Sequence, residues 1–127
     1  MYCVTALPVL VAVVDDDQSV RESLPDLLRE LGFSVEAFAS AEEFLQADCL
    51  GRTGCLILDV AMPGMSGPDL QRELGRRRQK IPIVFITAHE DPGVRPRLLE
   101  AGAVECLFKP FSETALVDAL NTALPAA

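Results

Sequence analysis

The chain has 127 residues, half of them hydrophobic, which suffices for one buried core, and its formal net charge is −8 at pH 7. That charge excludes nonspecific binding to nucleic acid or to an anionic membrane, because both partners are themselves negative. Cys3, Cys49, Cys55 and Cys106 lie at irregular separations with no CxxC pair, which excludes a zinc site of ordinary spacing and predicts free thiols in a reducing cytosol.

Val9–Val14 is the first apolar, β-branched run and reads as a strand. It is too short to cross a bilayer and no basic stretch precedes it, so no anchor or leader is expected there. Val20, Leu24, Leu27, Leu28 and Leu31 then share one helical face. Ser34–Phe38 reads as a second strand, and Ser40 followed by Glu43 as the capping-box start of a second helix. Cys55–Val60 is the third apolar run. Pro68 after Gly67 opens a third helix through Asp69–Arg78, whose closing Arg76, Arg77, Arg78 and Lys80 suit the negative end of the helix dipole. Ile81–Thr87 is the fourth strand. Beyond it, Pro92, Gly93 and Pro96 crowd the start of a fourth helix. A helix begun near Pro92 loses an internal bond at Pro96, at about 3 kcal/mol, and one begun at Pro96 has barely two turns before Ala101, so a short, late or poorly ordered helix is expected. Val104–Phe108 is the fifth strand, and Leu116, Val117, Leu120 and Leu124 line a last helix.

Nearly all-apolar strands that alternate with helices form a parallel sheet covered on both faces, because each crossover lays its helix on the sheet. The expected fold class is therefore α/β, in five strand-then-helix units. A single domain is expected over 1–127, with its core at about 9–124 and no output domain in the chain.

Four of the five apolar runs close on residues with reactive or charged side chains, and in a parallel sheet those ends share one edge. The first closes on Asp15, Asp16 and Asp17; the others carry Asp59, Thr87 and Lys109. That carboxyl edge is where open α/β sheets bind ligands. Three crowded carboxylates repel one another, so a cation is needed to keep them ionised, and hard oxygen donors suit Mg²⁺. Magnesium shares its shell with phosphate oxygens. Lys109 then offers a point charge and Thr87 a hydroxyl to a phosphoryl group, and an aspartate facing them is a nucleophile for an aspartyl phosphate. Asp17 reads as a helix N-cap only.

The segments VVDDDQSVR, ILDVAMPGMSGPDL, IPIVFITAHED and AGAVECLFKPF resemble the receiver domains of bacterial two-component response regulators, from about Val9 to the end. The similarity is greatest to the subgroup that often carries a LuxR-type helix-turn-helix output. It implies a flavodoxin-like, doubly wound five-stranded sheet of order 2-1-3-4-5. It implies Asp59 as the phosphoryl acceptor, with Mg²⁺ held by Asp16 and Asp59 directly, by Asp15 directly or through water, and by the backbone carbonyl of Ala61. Thr87 and Lys109 would contact the phosphoryl group, and Lys109–Pro110 would be cis. A signalling domain is implied, promoting only its own phosphorylation and dephosphorylation. Its donor would be a sensor histidine kinase in the cytoplasm, and its helix 4, strand 5 and helix 5 face would control a DNA-binding output domain outside this chain. Direct nucleic-acid and membrane contacts are not implied, and the resemblance allows a monomer or a phosphorylation-dependent homodimer. Cys106 departs from the pattern, since receivers usually place an aromatic ring three residues before the strand-end Lys. Either Leu107 or Phe108 repacks to fill that space, or phosphorylation is read out by ordering the fourth helix.

Two other functions fit parts of the pattern. Asp15-Asp16-Asp17-Gln18-Ser19 imitates the DxDx[T/V] start of haloacid-dehalogenase-like phosphatases, but that family needs a later acidic motif on a further strand, and only Glu113 and Asp118 follow Lys109. An inert receiver-like interaction module is the other. His89, the single histidine, reads as a loop residue beside the site.

Overall fold

The computed structural model describes residues 9–88 and 92–124. Its five strands are β1 (Leu10–Val14), β2 (Ser34–Phe38), β3 (Thr53–Asp59), β4 (Ile83–Thr87) and β5 (Glu105–Phe108). The α-helices are α1 (Gln18–Glu30), α2 (Ala41–Leu45), α3 (Gly67–Arg76), α4 (Val94–Glu100) and α5 (Glu113–Ala123), with one 3-10 turn at Leu50–Arg52. The strands are parallel and ordered β2-β1-β3-β4-β5, as the resemblance implied. This order reverses beside β1 and sets β1 and β3 side by side, so their carboxyl ends open one crevice.

Period-two alternation along the strands decides which helix covers which face. Ala12, Val14, Leu56, Leu58, Phe85 and Cys106 point to the side covered by Phe44 of α2, Leu70 and Leu74 of α3, and Leu98 of α4. Val11, Val13, Cys55, Ile57, Val84 and Ile86 point to the side covered by Leu24 and Leu28 of α1 and by Leu116 and Leu120 of α5. The central strands β1, β3 and β4 are buried on both faces, which is why they read as apolar runs, whereas the edge strand β2 exposes Ser34, Glu36 and Ala37. Cys49, Cys55 and Cys106 are buried free thiols, and Cys3 lies outside the described residues.

Several boundaries differ from the sequence reading for local reasons. The helix expected from Pro68 begins at Gly67, because Ser66 forms a reciprocal capping box with Asp69 and Pro68 falls in the first turn, where no N–H is missed. It ends at Arg76 rather than Arg78. There Arg78 takes the left-handed conformation at φ 60°, the backbone that commonly closes a helix. Arg76 and Arg77 both donate to Glu73, so part of the basic cluster is neutralised by its own helix. β3 stops at Asp59, one residue before Val60. The apolar face of α1 continues through Pro25, which lies buried inside the helix.

The fourth helix is short and late. Its seven residues start at Val94, which puts Pro96 third in the first turn, where its missing N–H has no helical partner to lose. Cys106 is 3% exposed and pairs in register with Phe85, which is fully buried on the same face. Leu107 packs into the opposite core and Phe108 is only half-buried, so neither fills the space beside the thiol as expected. Phe85 is the aromatic residue that stands beside Cys106 in register on that face.

Candidate functional site

Asp15 follows β1 directly, and its N–H extends the ladder by donating to the Phe38 carbonyl at 3.1 Å. The side chain is fully buried, which costs heavily unless every oxygen is paired. Both are. Oδ1 accepts the Asp17 N–H at 2.9 Å and Oδ2 accepts from Lys109 Nζ at 2.8 Å. Asp16, next along, is exposed. Asp17 is the N-cap of α1 and accepts from the N–H and hydroxyl of Ser19, which holds its pKa below the usual value, as a cap and not a site residue.

Asp59 is the last residue of β3 and only 6% exposed. Burial, and then the charge of Asp15, push its pKa up from 3.8 to about 7, with Lys109 pulling the other way. Thr87 closes β4, buried at 1% exposure. Lys109 follows β5, and its N–H donates to the Thr87 carbonyl at 2.8 Å, so the roots of the two side chains are tied together. Burial opposes the Lys109 charge, yet the hydrogen bond and charge of Asp15, with help from Asp59, leave its pKa above the ordinary value. Lys109–Pro110 is cis.

Carboxylate oxygens of Asp15, Asp16 and Asp59 all lie within 4.8 Å of one another. An all-oxygen donor set of this size suits a hard divalent cation better than zinc. Ala61 is exposed two residues beyond Asp59, and His89 lies outside the described residues. The structure thus brings the carboxylates and Lys109 together, with Thr87 on the neighbouring strand end.

Two residues of the site were not picked out from the sequence. Gly67 donates its N–H to the Val60 carbonyl at 3.0 Å, and a Cβ there would lie 2.4 Å from the Asp59 carbonyl oxygen. Only glycine fits so close an approach. Its signal is the MSG ending of the loop after Asp59, which a motif reading treats as one block. Arg21 donates from Nη1 to the Asp15 carbonyl at 3.0 Å, with no sequence signal beyond its place one turn into α1.

The family model described as response regulator receiver domain matches residues 11–121. The chain belongs to the response regulator receiver family. Nodulation protein W of Bradyrhizobium diazoefficiens is 48% identical to it over 114 residues, which is 90% of this chain and 50% of that protein. The structure of response regulator StyR superposes with a TM-score of 0.85 at 53% identity, covering 94% of this chain and 60% of that one. The crystal structure of FixJ-N superposes at 0.82 with 39% identity, covering 94% and 98%. This receiver spans about half the length of the curated relatives it matches. Membership sets the phosphatase reading aside. No described helix is long and apolar enough to cross a membrane.

Proposed function

We propose that this receiver accepts a phosphoryl group on Asp59 from the phosphohistidine of a sensor histidine kinase, with Mg²⁺ held by the acidic cluster. The observation that carries the reading is the meeting of three carboxylates within 4.8 Å beside a lysine that already occupies one of them. Asp15 spends both oxygens on Asp17 and Lys109, so Asp16 and Asp59 are left to give oxygens directly, with Asp15 as support and the Ala61 carbonyl as a further donor. Bound Mg²⁺ supplies the positive charge that keeps Asp59 ionised and shields phosphoryl oxygens. An Asp59 carboxylate oxygen attacks phosphorus as the bond to the imidazole nitrogen breaks. Lys109 has three N–H donors, so it can hold Asp15 and still meet a phosphoryl oxygen. The Thr87 hydroxyl donates to another.

The finer parts of the reading rest on the family. The domain would work in the cytoplasm, as a monomer or phosphorylation-dependent dimer. It would pass its state through α4, β5 and α5 to a DNA-binding output domain, itself touching neither nucleic acid nor membrane. It turns over no external substrate beyond its own phosphorylation and dephosphorylation.

Mass spectrometry after incubation with Mg²⁺ and acetyl phosphate tests this. One hydrolysable phosphoryl adduct on Asp59 is expected. No adduct would mark an inert interaction module, and an adduct on Asp15 with turnover of phosphate esters would mark a phosphatase. A neighbouring pair sharpens the metal assignment. Asp16→Ala is expected to weaken Mg²⁺ binding and phosphorylation together, whereas Asp17→Ala lowers the melting temperature by a few degrees through its lost cap and leaves the Mg²⁺ titration unchanged. The reverse pattern in calorimetric titration means the ligand is misassigned by one residue.

A further inference from the structure

Arg21 sits in the first turns of α1, half-buried, with its own N–H fixed to the Asp17 carbonyl at 3.2 Å. Its side chain runs back along the helix to donate to the Asp15 carbonyl at 3.0 Å. That carbonyl belongs to the peptide joining Asp15 to Asp16. Rotation of this one peptide plane swings the Asp16 side chain relative to Asp59. Everything on the Asp15 side is already held, by the Phe38 carbonyl on its N–H and by Asp17 and Lys109 on its carboxylate. Asp16 is the exposed member of the trio, and packing does not fix it.

We propose that Arg21 is a positioning residue, whose guanidinium clamps the Asp15–Asp16 peptide and so aims the Asp16 carboxylate at the point that Asp59 also faces. The inference rests on the Mg²⁺ reading of the site. Charge and position act with opposite sign here. A guanidinium near a divalent-cation site repels the cation, so if charge governed, removing Arg21 would tighten binding. If position governs, removal weakens it, because a ligand without a fixed orientation must be ordered on binding. A role in stability alone leaves the affinity of the folded protein unchanged.

The test uses the isotopically labelled full chain, with Mg²⁺ alone as the probe. In Arg21→Ala the Kd for Mg²⁺, followed by amide chemical shifts, is expected to rise about 10-fold. In metal-free protein the ¹⁵N order parameter of the Asp16 amide falls, while that of Asp59 holds. Arg21→Met, which keeps the apolar stem and loses only the donor, gives the same result and guards against a packing defect. An unchanged or lower Kd overturns the proposal. If the unaltered protein shows no saturable Mg²⁺ binding, the metal reading itself fails. The Asp16 amide then still decides on the clamp, which an unchanged order parameter would refute.

Discussion

Asp59→Asn is expected to abolish phosphoryl acceptance and, in metal-free solution near and above pH 7, to make the fold more stable than the unaltered chain. The nucleophilic oxygen is replaced by an amide, so no adduct forms with Mg²⁺ and acetyl phosphate. The stability gain follows from the raised pKa. Folding moves this carboxyl from 3.8 to about 7, by burial first and by Asp15 second. The folded state therefore binds its proton more tightly than the unfolded state. Stability contributed by that proton is complete below pH 4, falls as pH climbs between the two values, and is gone above about 7. The full shift corresponds to at most about 4 kcal/mol, and solvent at the rim of the crevice reduces this to on the order of 2 kcal/mol. Asparagine has no proton to lose, so the two proteins should converge in stability near pH 4 and diverge toward pH 8 in denaturant titrations with chelator. Saturating Mg²⁺ should close the gap by stabilising the unaltered chain more than the variant. A gap that did not vary with pH, or labelling that persisted at another residue, would remove Asp59 from the role assigned to it.

What was legible in the sequence was whatever depended on period and position. Apolar runs such as Val9–Val14 announced strands buried on both faces, and their polar ends placed Asp15, Asp16, Asp59, Thr87 and Lys109 on one sheet edge, where all of them stand. The caps at Ser40 and Asp17 were readable because a cap is a contact between residues two or three apart, but the box expected at Ser40 stays half-formed, since the Glu43 carboxylate accepts from the Ala39 N–H and not from Ser40. Contacts set by the packing of distant elements were not readable. Cys106 stands beside Phe85 on the neighbouring strand, a partner that only the β4 and β5 register discloses, and sequence proximity pointed instead to Leu107 and Phe108. The bond from Lys109 to Asp15, 94 residues away in the chain, is likewise a contact that only the fold discloses. The early start of α3 was hidden for another reason. Ser66 and Asp69 form the box with Asp in place of the usual Glu or Gln, while Pro68 gave a louder signal.

Gly67→Ala is expected to destabilise the fold by about 3 kcal/mol, a large value for one methyl group, and to slow phosphorylation along with it. An added Cβ would meet the Asp59 carbonyl oxygen at 2.4 Å, Phe85 Cε1 at 2.9 Å and the Val60 Cα at 3.0 Å. Two of these are backbone atoms, which have no rotamer through which to yield. Phe85 is fully buried and packed on the face that holds Cys106, so it has nowhere to turn. Relief must come from moving the loop after β3. That movement breaks the hydrogen bond from the Gly67 N–H to the Val60 carbonyl and shifts the main chain that carries Asp59. Gly75, near the other end of the same helix, is the internal control. A Cβ there meets nothing within 4 Å, so Gly75→Ala should stabilise the protein by about 0.5–1 kcal/mol through the lower entropy of alanine in the unfolded chain. Urea midpoints for the two variants should thus move in opposite directions at similar m-values. The phosphorylation rate should fall for Gly67→Ala alone, measured at a urea-free temperature where both variants are fully folded. Equal stability of Gly67→Ala and the unaltered chain would show that the loop yields freely, and that the close approach at 2.4 Å does not hold Asp59 in place.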